Sequence, residues 1–198
     1  MTAGGFVNEQ GKMVIELQFA YVDDFSEGIA KIGEKTGEHT IKYAYINKKG
    51  LWISLDRYDD AEKFKNGLAG VVKINNGIRQ RAYIDQTGKP IGGRWYHMMG
   101  HFYDGVTTVT LNGKMNLIDR QGNILSDVWF DDILPFGGEL RVVKLDGKYG
   151  YINTKGEMVI PLQFDNAHPF FDNQKAKVRL NDKWYYINHQ GVIIDTAE

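Results

Sequence analysis

Six glycines recur along this chain of 198 residues, and neighbouring copies lie 34 to 39 residues apart. Four positions before each glycine stands Val or Ile, and three positions before it stands Asn or Asp. Fourteen positions after each of the first five glycines stands a phenylalanine. The glycines are Gly11, Gly50, Gly88, Gly122, Gly156 and Gly191, and the phenylalanines are Phe25, Phe64, Phe102, Phe136 and Phe170. This agreement identifies a tandem repeat, which restricts the fold to stacked copies of one small unit.

The segment around each glycine predicts a β-hairpin. Asn or Asp at the first turn position can accept hydrogen bonds from the backbone that follows, and a glycine three residues later accepts positive φ. The flanking segments are apolar and β-rich, as in residues 149–152 before the turn and residues 158–160 after it. We therefore predict an Asx–Gly turn between two strands in every copy.

A second, tighter turn precedes the Asx–Gly turn. Asn112-Gly113, Asp146-Gly147 and Asn181-Asp182 stand between β-rich segments. Such pairs favour type I′ turns, which need positive φ at both central residues. In the first two repeats we predict longer connections, over residues 33–40 and 75–80.

The predicted fold is all-β. Each unit is a strand, a tight turn, a strand, an Asx–Gly turn and a strand, followed by a less regular stretch that ends at the phenylalanine. The two chain ends carry the same element, which favours an open, solenoid-like tandem array of three-stranded β-hairpin units over a closed propeller- or barrel-like ring. We predict one repeat domain, residues 1–198, with units at about 6–42, 43–80, 81–114, 115–148 and 149–183 and a C-terminal half unit at 184–195.

The stretch from Gly147 to Ala167 resembles the bacterial WG repeat, also called the KWG repeat, and the similarity extends from Phe6 to Ile194. No copy carries Trp followed by Gly, which is a departure from the family pattern. At the Trp position this chain has Gly4, Tyr43, Arg81, Met115, Tyr149 and Trp184. The resemblance implies a repetitive β protein that serves as an interaction or ligand-binding module, without a common catalytic motif.

Composition narrows the classes of function. The chain has 24 Lys and Arg against 25 Asp and Glu, so its net charge of −1 gives no field that would attract nucleic acid. It contains no cysteine, which excludes disulfides and thiolate chemistry. No apolar segment approaches the ~20 residues of a membrane span, and the N-terminus lacks the features of a signal peptide. We expect a cytoplasmic protein if the chain is complete, and a secreted or periplasmic one if it is a mature or truncated form.

Positions that differ between repeats are the candidates for function, because positions that every repeat shares serve the stacking. The shared phenylalanines and aliphatic residues are therefore predicted to be core. Seven residues after the glycine the copies read Gln18, Arg57, Trp95, Trp129 and Gln163. Three polar residues indicate that this position reaches solvent. Trp95 and Trp129 are therefore the predicted ligand-binding residues, as an exposed pair for a sugar ring or a partner side chain.

Two other groups are weaker candidates for chemistry. Acidic pairs such as Asp131-Asp132 could serve glycoside hydrolysis or calcium, but they lie where Asx residues cap turns. His97 and His101 are four residues apart, yet the segment has no helical pattern that would bring them together on a metal. We predict no metal and no cofactor.

The sequence thus predicts a non-catalytic repeat scaffold that mediates protein–protein interaction with an unidentified protein. The alternative is a carbohydrate or cell-wall binding module that uses Trp95 and Trp129. A hydrolase that uses Asp131 or Asp132 is the third hypothesis, and finding two carboxylates facing each other in a deep cleft would support it.

Overall fold

The computed structural model describes residues 3–134, 139–171 and 174–197. It is all-β, as predicted, and its described residues form nineteen strands and one short 3-10 turn at Ile91–Gly93. The chain divides into two compact units, of which the first ends at His97 and the second begins at Met98. The strands of the first unit are β1 (Gly4–Val7), β2 (Met13–Phe19), β3 (Tyr21–Val22), β4 (Ile29–Lys35), β5 (Ile41–Asn47), β6 (Asp60–Ala61), β7 (Leu68–Asn75) and β8 (Ile78–Asp85). The strands of the second unit are β9 (Met98–Met99), β10 (Val106–Leu111), β11 (Lys114–Asp119), β12 (Asp132–Ile133), β13 (Arg141–Leu145), β14 (Lys148–Ile152), β15 (Met158–Phe164), β16 (Asn166–Ala167), β17 (Ala176–Leu180), β18 (Lys183–Ile187) and β19 (Ile193–Thr196).

The strands form separate antiparallel sheets of two to four strands, as expected of a repeat array. The first unit holds β1-β2, β3-β4-β5 and β6-β7-β8, and the second holds β9-β10-β11, β12-β13-β14-β15 and β16-β17-β18-β19. Every sheet after the first begins with a strand of two residues, in the part of the repeat that was predicted to be less regular. No sheet among the described strands closes on itself. The hydrogen-bonded sheets therefore begin and end at other points of the repeat than the predicted units do. The sheet of β3, β4 and β5, for example, runs from Tyr21 to Asn47, whereas the first predicted unit covers residues 6–42.

The Asx–Gly turn is confirmed in all six copies. Each of the six glycines has positive φ, between 75° and 83°, and donates its backbone N–H to the carbonyl of the Asn or Asp three residues before. In the fifth copy the Asn153 Oδ1 accepts the backbone N–H groups of Lys155 and Glu157, at 2.9 and 3.0 Å. The turn thus satisfies these polar groups internally.

The tight turns are confirmed as well, with one correction. Positive φ occurs at both residues of Asn112-Gly113, Asp146-Gly147 and Asn181-Asp182. The first repeat has the predicted longer connection between β4 and β5. The second repeat does not, because Asn75 pairs directly with Ile78 and Asn76-Gly77 forms a two-residue turn with positive φ at both positions. The prediction of a long connection over residues 75–80 was therefore wrong.

A third turn follows the shared phenylalanine and was not predicted. Glu27-Gly28, Asn66-Gly67 and Asp104-Gly105 have positive φ at both residues, and each is closed by a bridge between its flanking residues. This turn leads the chain from the short first strand of a sheet into the long second strand of the same sheet.

The cores of the units contain the residues that the repeat shares. The β-branched residue before each turn is fully buried in five copies, Ile46, Ile84, Ile118, Ile152 and Ile187, whereas Val7 is 58% exposed. Phe64 and Phe170 are buried, and Phe25 and Phe102 are half-buried. Phe136, also predicted to be core, lies outside the described residues.

At one backbone position, two copies have a glycine over which the outer strand of the sheet passes directly. Six residues before the turn glycine, the first and fifth copies have Gly5 and Gly150. A Cβ on Gly150 would lie 2.6 Å from the carbonyl oxygen of Ile160, since the outer strand β15 passes directly over it. In these two copies the outer segment is a continuous strand of seven residues.

Four copies have a larger residue at that position. The sixth copy has Tyr185 and forms the four-residue outer strand β19. The other three have Ala44, Ala82 and Asn116, and their outer segments form isolated bridges instead of a continuous strand. The buried Asn116 shows how the outer segment is held. Its Nδ2 donates to the carbonyl oxygens of Ser126 and Val128, at 2.8 and 3.0 Å, and so replaces strand pairing with side-chain hydrogen bonds.

Candidate functional site

One buried position in the long strand of the sheet changes its chemistry in the second unit. It pairs with the shared isoleucine, and three sheets have a buried alanine there: Ala30, Ala69 and Ala176. The other two sheets have Thr107 and Arg141, which pair with Ile118 and Ile152. Both remain buried, at 0% and 2% exposure. A hydroxyl and a guanidinium thus stand where the repeat otherwise requires a methyl group.

Burial of a guanidinium is unfavourable because its charge loses the stabilisation of water. Burial lowers the pKa of Arg141, and the negative charge of Asp104 acts in the opposite direction. Arginine nevertheless remains protonated inside proteins. The second unit therefore holds a permanent positive charge close to its hydrophobic core.

Arg141 and Thr107 both line one cavity of about 580 Å³. This volume lies within the range of small-molecule sites in proteins. The cavity walls come from the start of β10, from β12 and from the segment Gly100–Tyr103. Four large side chains with mainly apolar surface line the cavity: Phe102, Tyr103, Met115 and Ile133.

Gly100 is the third departure from the repeat at this cavity. The other copies have Asp23, Glu62, Leu134 and His168 at this position, twelve residues after the turn glycine. A Cβ on Gly100 would lie 2.9 Å from the Thr108 hydroxyl oxygen and 3.1 Å from that of Thr107. The absence of a side chain at Gly100 thus leaves these hydroxyls next to the cavity.

Sequence reasoning missed this site, although the signal was present. Arg141 lies nineteen residues after its turn glycine, where the first two copies have alanine and the third has threonine. The repeats thus disagree at this register as clearly as they do at the register of the two tryptophans. The strand alternation could have marked the position as buried, and a buried arginine among alanines is the more unusual of the two differences.

The structure places the two predicted tryptophans in different units. Trp95 and Trp129 are both half-buried. Trp95 packs against the core of the first unit, with its ring centroid 6.5 Å from that of Tyr58. The Lys73 ammonium lies 5.0 Å from the Trp95 ring centroid. The role of the two tryptophans in ligand binding stays a prediction.

The aspartate nine residues after the turn glycine links neighbouring sheets. The Asp165 Oδ1 accepts a hydrogen bond from the Lys148 ammonium at 2.7 Å, and its Oδ2 accepts the backbone N–H of Asn181 at 2.9 Å. Lys148 belongs to the sheet that contains β14, and Asn181 follows the long strand of the next sheet. The hydrogen bond from Lys148, followed by that from Asn181, lowers the pKa of Asp165.

Asp131 makes the same two contacts, to the Lys114 ammonium and to the backbone N–H of Asp146, and these lower its pKa. Asp59 accepts hydrogen bonds in the same way from the Lys42 ammonium and from the backbone N–H of Ile74. The recurring aspartates are thus engaged in turn and sheet contacts. Asp132, the partner of Asp131 in the hydrolase hypothesis, lines the cavity of the second unit instead.

The two histidines that were considered for metal also have separate surroundings. The backbone carbonyl of His97 accepts a hydrogen bond from the Arg81 guanidinium at 2.7 Å. His101 is exposed and lines the cavity. Among residues 3–134, 139–171 and 174–197 no group of three His, Asp or Glu side chains is arranged to hold a metal ion.

The combination of hairpin repeats, Asx–Gly turns and stacked small sheets defines a β-repeat protein. The family described as WG containing repeat matches residues 5–33, 43–76, 117–149 and 149–184, which together cover well over half of the chain. The chain therefore belongs to the WG repeat family. The unmatched residues 77–116 include Gly100 and Thr107, where this chain departs from its own repeat.

The solved structures that match this chain share little sequence with it. A crystal structure of the eukaryotic initiation factor has a TM-score of 0.44 at 9% identity, and the match covers 89% of this chain and 55% of that one. KlHsv2 with loop 6CD replaced by a Gly-Ser linker has a TM-score of 0.39 at 10% identity, with 87% and 65% of the two chains covered. The AfRom2 CNH domain has a TM-score of 0.31 at 10% identity, with 96% and 74% covered.

This chain thus spans about half the length of the first of these structures and about two thirds of the second. No curated protein matches it. Within the described part of the chain, no helix has the length and apolar character needed to cross a membrane.

Proposed function

We propose that this WG repeat protein is a non-catalytic scaffold that presents an apolar surface to a protein partner. The observation that supports this is the exposure of aliphatic side chains on outer strands. On β2, Val14 is 54% exposed and Leu17 is 57% exposed. On β19, Ile193 is 45% exposed and Ile194 is 53% exposed.

These strands have a free edge as well as apolar side chains. Among the strands that the structure describes, β2 pairs only with β1, and β19 pairs only with β18. An outer strand of this kind can contribute apolar contacts and edge backbone groups to an extended peptide. A partner segment with alternating apolar residues would satisfy both features.

A displayed library of random peptides tests the proposal even though the partner is unidentified. We expect the wild-type chain to select peptides with a shared apolar pattern. The variants Leu17→Glu and Ile194→Glu each place a charge on one of the two strands, and at least one of them should lose the selected peptides. Lys48→Glu, at an exposed turn of the first unit, is the matched control and should retain them.

Failure to enrich any peptide would contradict the proposal. Binding of the selected peptides by both strand variants as tightly as by the wild type would contradict it too. A glycan array provides the second arm of the test. Sugar binding that disappears in Trp95→Ala and Trp129→Ala would replace the protein-partner proposal with the carbohydrate-binding alternative.

A further inference from the structure

We infer that the cavity of the second unit binds a small organic monocarboxylate that carries an apolar body, with Arg141 as the carboxylate-binding residue. This inference does not depend on the proposed protein partner. It rests on the cavity, on its buried charge and on the departures of this chain from its own repeat.

Three departures from the repeat meet at one place. Arg141 and Thr107 replace the buried alanine of the other sheets, and Gly100 replaces the larger residues of the other copies. All three residues line the same cavity. Stacking of the repeats does not require these changes, since the sheets that contain Ala30, Ala69 and Ala176 stack without them. The shared location therefore indicates a common role at the cavity.

The charge of Arg141 selects the ligand class. A guanidinium presents parallel N–H donors that match the two oxygens of a carboxylate. Arg141 is 2% exposed, and the attraction of an anion to such a buried charge is stronger than to a charge at the surface. The neighbouring Thr107 and Thr108 add hydroxyl groups that can donate to the same anion. Arg120, whose guanidinium lies 5.1 Å from the Phe102 ring centroid, adds positive charge near one wall.

The residues of the cavity walls determine which ligand body and which net charge fit beside the carboxylate. Phe102, Tyr103, Met115 and Ile133 offer aromatic and aliphatic surface to an apolar body. The carboxylate of Asp132 lines the same cavity and opposes a second negative charge on the ligand. A monoanion with an aromatic or aliphatic body thus fits better than a phosphate dianion or a dicarboxylate.

The first experiment measures thermal stability in the presence of 3-phenylpropionate, with the neutral 3-phenylpropionamide as the matched probe. At a concentration of about ten times its Kd, the carboxylate should raise the Tm of the second unit by about 6–8 °C. The amide should raise it much less, because it lacks the charge. Phthalate, a dianion with the same ring, should also be weaker than 3-phenylpropionate.

The test variant is Arg141→Ala, which installs the residue that three other sheets have at this position. We expect it to fold and to lose the response to 3-phenylpropionate. Arg79→Ala removes a surface guanidinium of the first unit and is the control for net charge; its response should equal that of the wild type.

A second measurement needs no variant. The chain has six methionines, and labelled methyl groups report on each by NMR. We expect 3-phenylpropionate to shift the signal of Met115 in the cavity and to leave that of Met13 in the first unit unchanged.

Loss of the thermal response in Arg141→Ala together with a shift at Met115 supports the inference. An equal response in Arg141→Ala, an equal effect of the amide, or no shift at Met115 would overturn it. None of these results depends on whether the strand variants bind peptides, so this inference and the proposed function fail independently.

Discussion

The ring of Tyr151 meets that of Phe170 edge to face, with centroids 5.2 Å apart, while its hydroxyl donates to the carbonyl oxygen of His168 at 2.9 Å. Tyr151 belongs to β14, and Phe170 lies between the short first strand of the next sheet and its long second strand. In the first unit Tyr45 makes the same pair of contacts, with Phe64 and with the carbonyl oxygen of Glu62. The shared phenylalanine therefore joins each of these sheets to the next.

Phe170→Ala should destabilise the second unit by about 3–5 kcal/mol, the range for truncation of a buried aromatic side chain. Phe170 is 4% exposed and packs against Tyr151. Its neighbour Phe171 is 73% exposed, so Phe171→Ala should change the free energy of unfolding by less than about 0.5 kcal/mol. Urea denaturation measures both. Similar losses in the two variants would show that the shared phenylalanine is not part of the core.

Gly122→Val should cost more stability than Asn123→Val, although the two residues are neighbours. Gly122 has a φ of +83°, where a β-branched side chain is strained. Asn123 is exposed, and other copies have residues as different as Leu51 and Glu157 at this position. Thermal melting of the two variants decides the question, and equal Tm values would contradict the turn assignment.

Gly150→Ala should cost about 1–3 kcal/mol, as overpacking commonly does. The added methyl group would lie 2.6 Å from the Ile160 carbonyl oxygen, so β15 must move away from β14. Hydrogen exchange should accordingly become faster in β15 and stay unchanged in the first unit. Ala44→Gly is the reverse substitution at the equivalent position. It should cost the flexibility of a glycine in a strand, about 0.5–1 kcal/mol, and the loss of a fully buried methyl group, about 0.8 kcal/mol. Unchanged exchange in β15 after Gly150→Ala would remove the explanation of the outer strands.

Asp165→Asn should make the thermal stability of the protein less dependent on pH in the acidic range. The pKa of Asp165 is lowered from 3.8 in the folded protein, so its carboxylate contributes stability above that value and loses it as the pH falls through the folded pKa. The Tm difference between wild type and Asp165→Asn should therefore be largest near neutral pH and should shrink below pH 3.8. Asp182→Asn, at an exposed turn residue, is the control. A Tm difference that does not change with pH would show that the contacts of Asp165 with Lys148 and Asn181 do not stabilise the fold.

The two tryptophans should respond differently from Gln163, which shares their register and is exposed. Trp95→Gln should lower the Tm of the first unit, because the half-buried ring packs against Tyr58 and lies below the Lys73 ammonium. Gln163→Ala should leave the Tm of the second unit almost unchanged. A Trp95→Gln variant with wild-type stability would restore the interpretation of this residue as an open binding platform.

The sequence predicted features that depend on a few neighbouring residues. The Asx–Gly turn is one, since its hydrogen bonds all lie within five residues. The turn at Asn76-Gly77 carries the same kind of local signal, although the polar residues that follow it favour a longer loop. The packing of Trp95 depends on Tyr58 and Lys73, which belong to other parts of the first unit. The cavity at Arg141 depends on three residues from separate parts of the chain, and only a register-by-register comparison brings them together.

The self-contained Asx–Gly turn has a consequence for how such a chain can change. Two residues stand between the Asx residue and the glycine of each turn, and the second of them donates its backbone N–H to the Asx side chain, as Gln10 and Lys49 do. The side chains of pairs such as Glu9-Gln10 and Lys48-Lys49 are exposed. Mutation at exposed tip residues should therefore have little effect on folding, but Arg120 and His189, at two of the six tips, contact Phe102 and Phe170 and do not share this freedom. Because the chain has no cysteine, a single cysteine introduced at an exposed tip residue such as Gln10 or Lys49 would give a unique attachment point for a spectroscopic label. The repeat thus supplies a set of regularly spaced handles, at intervals of 34 to 39 residues, from which distances along the protein can be measured.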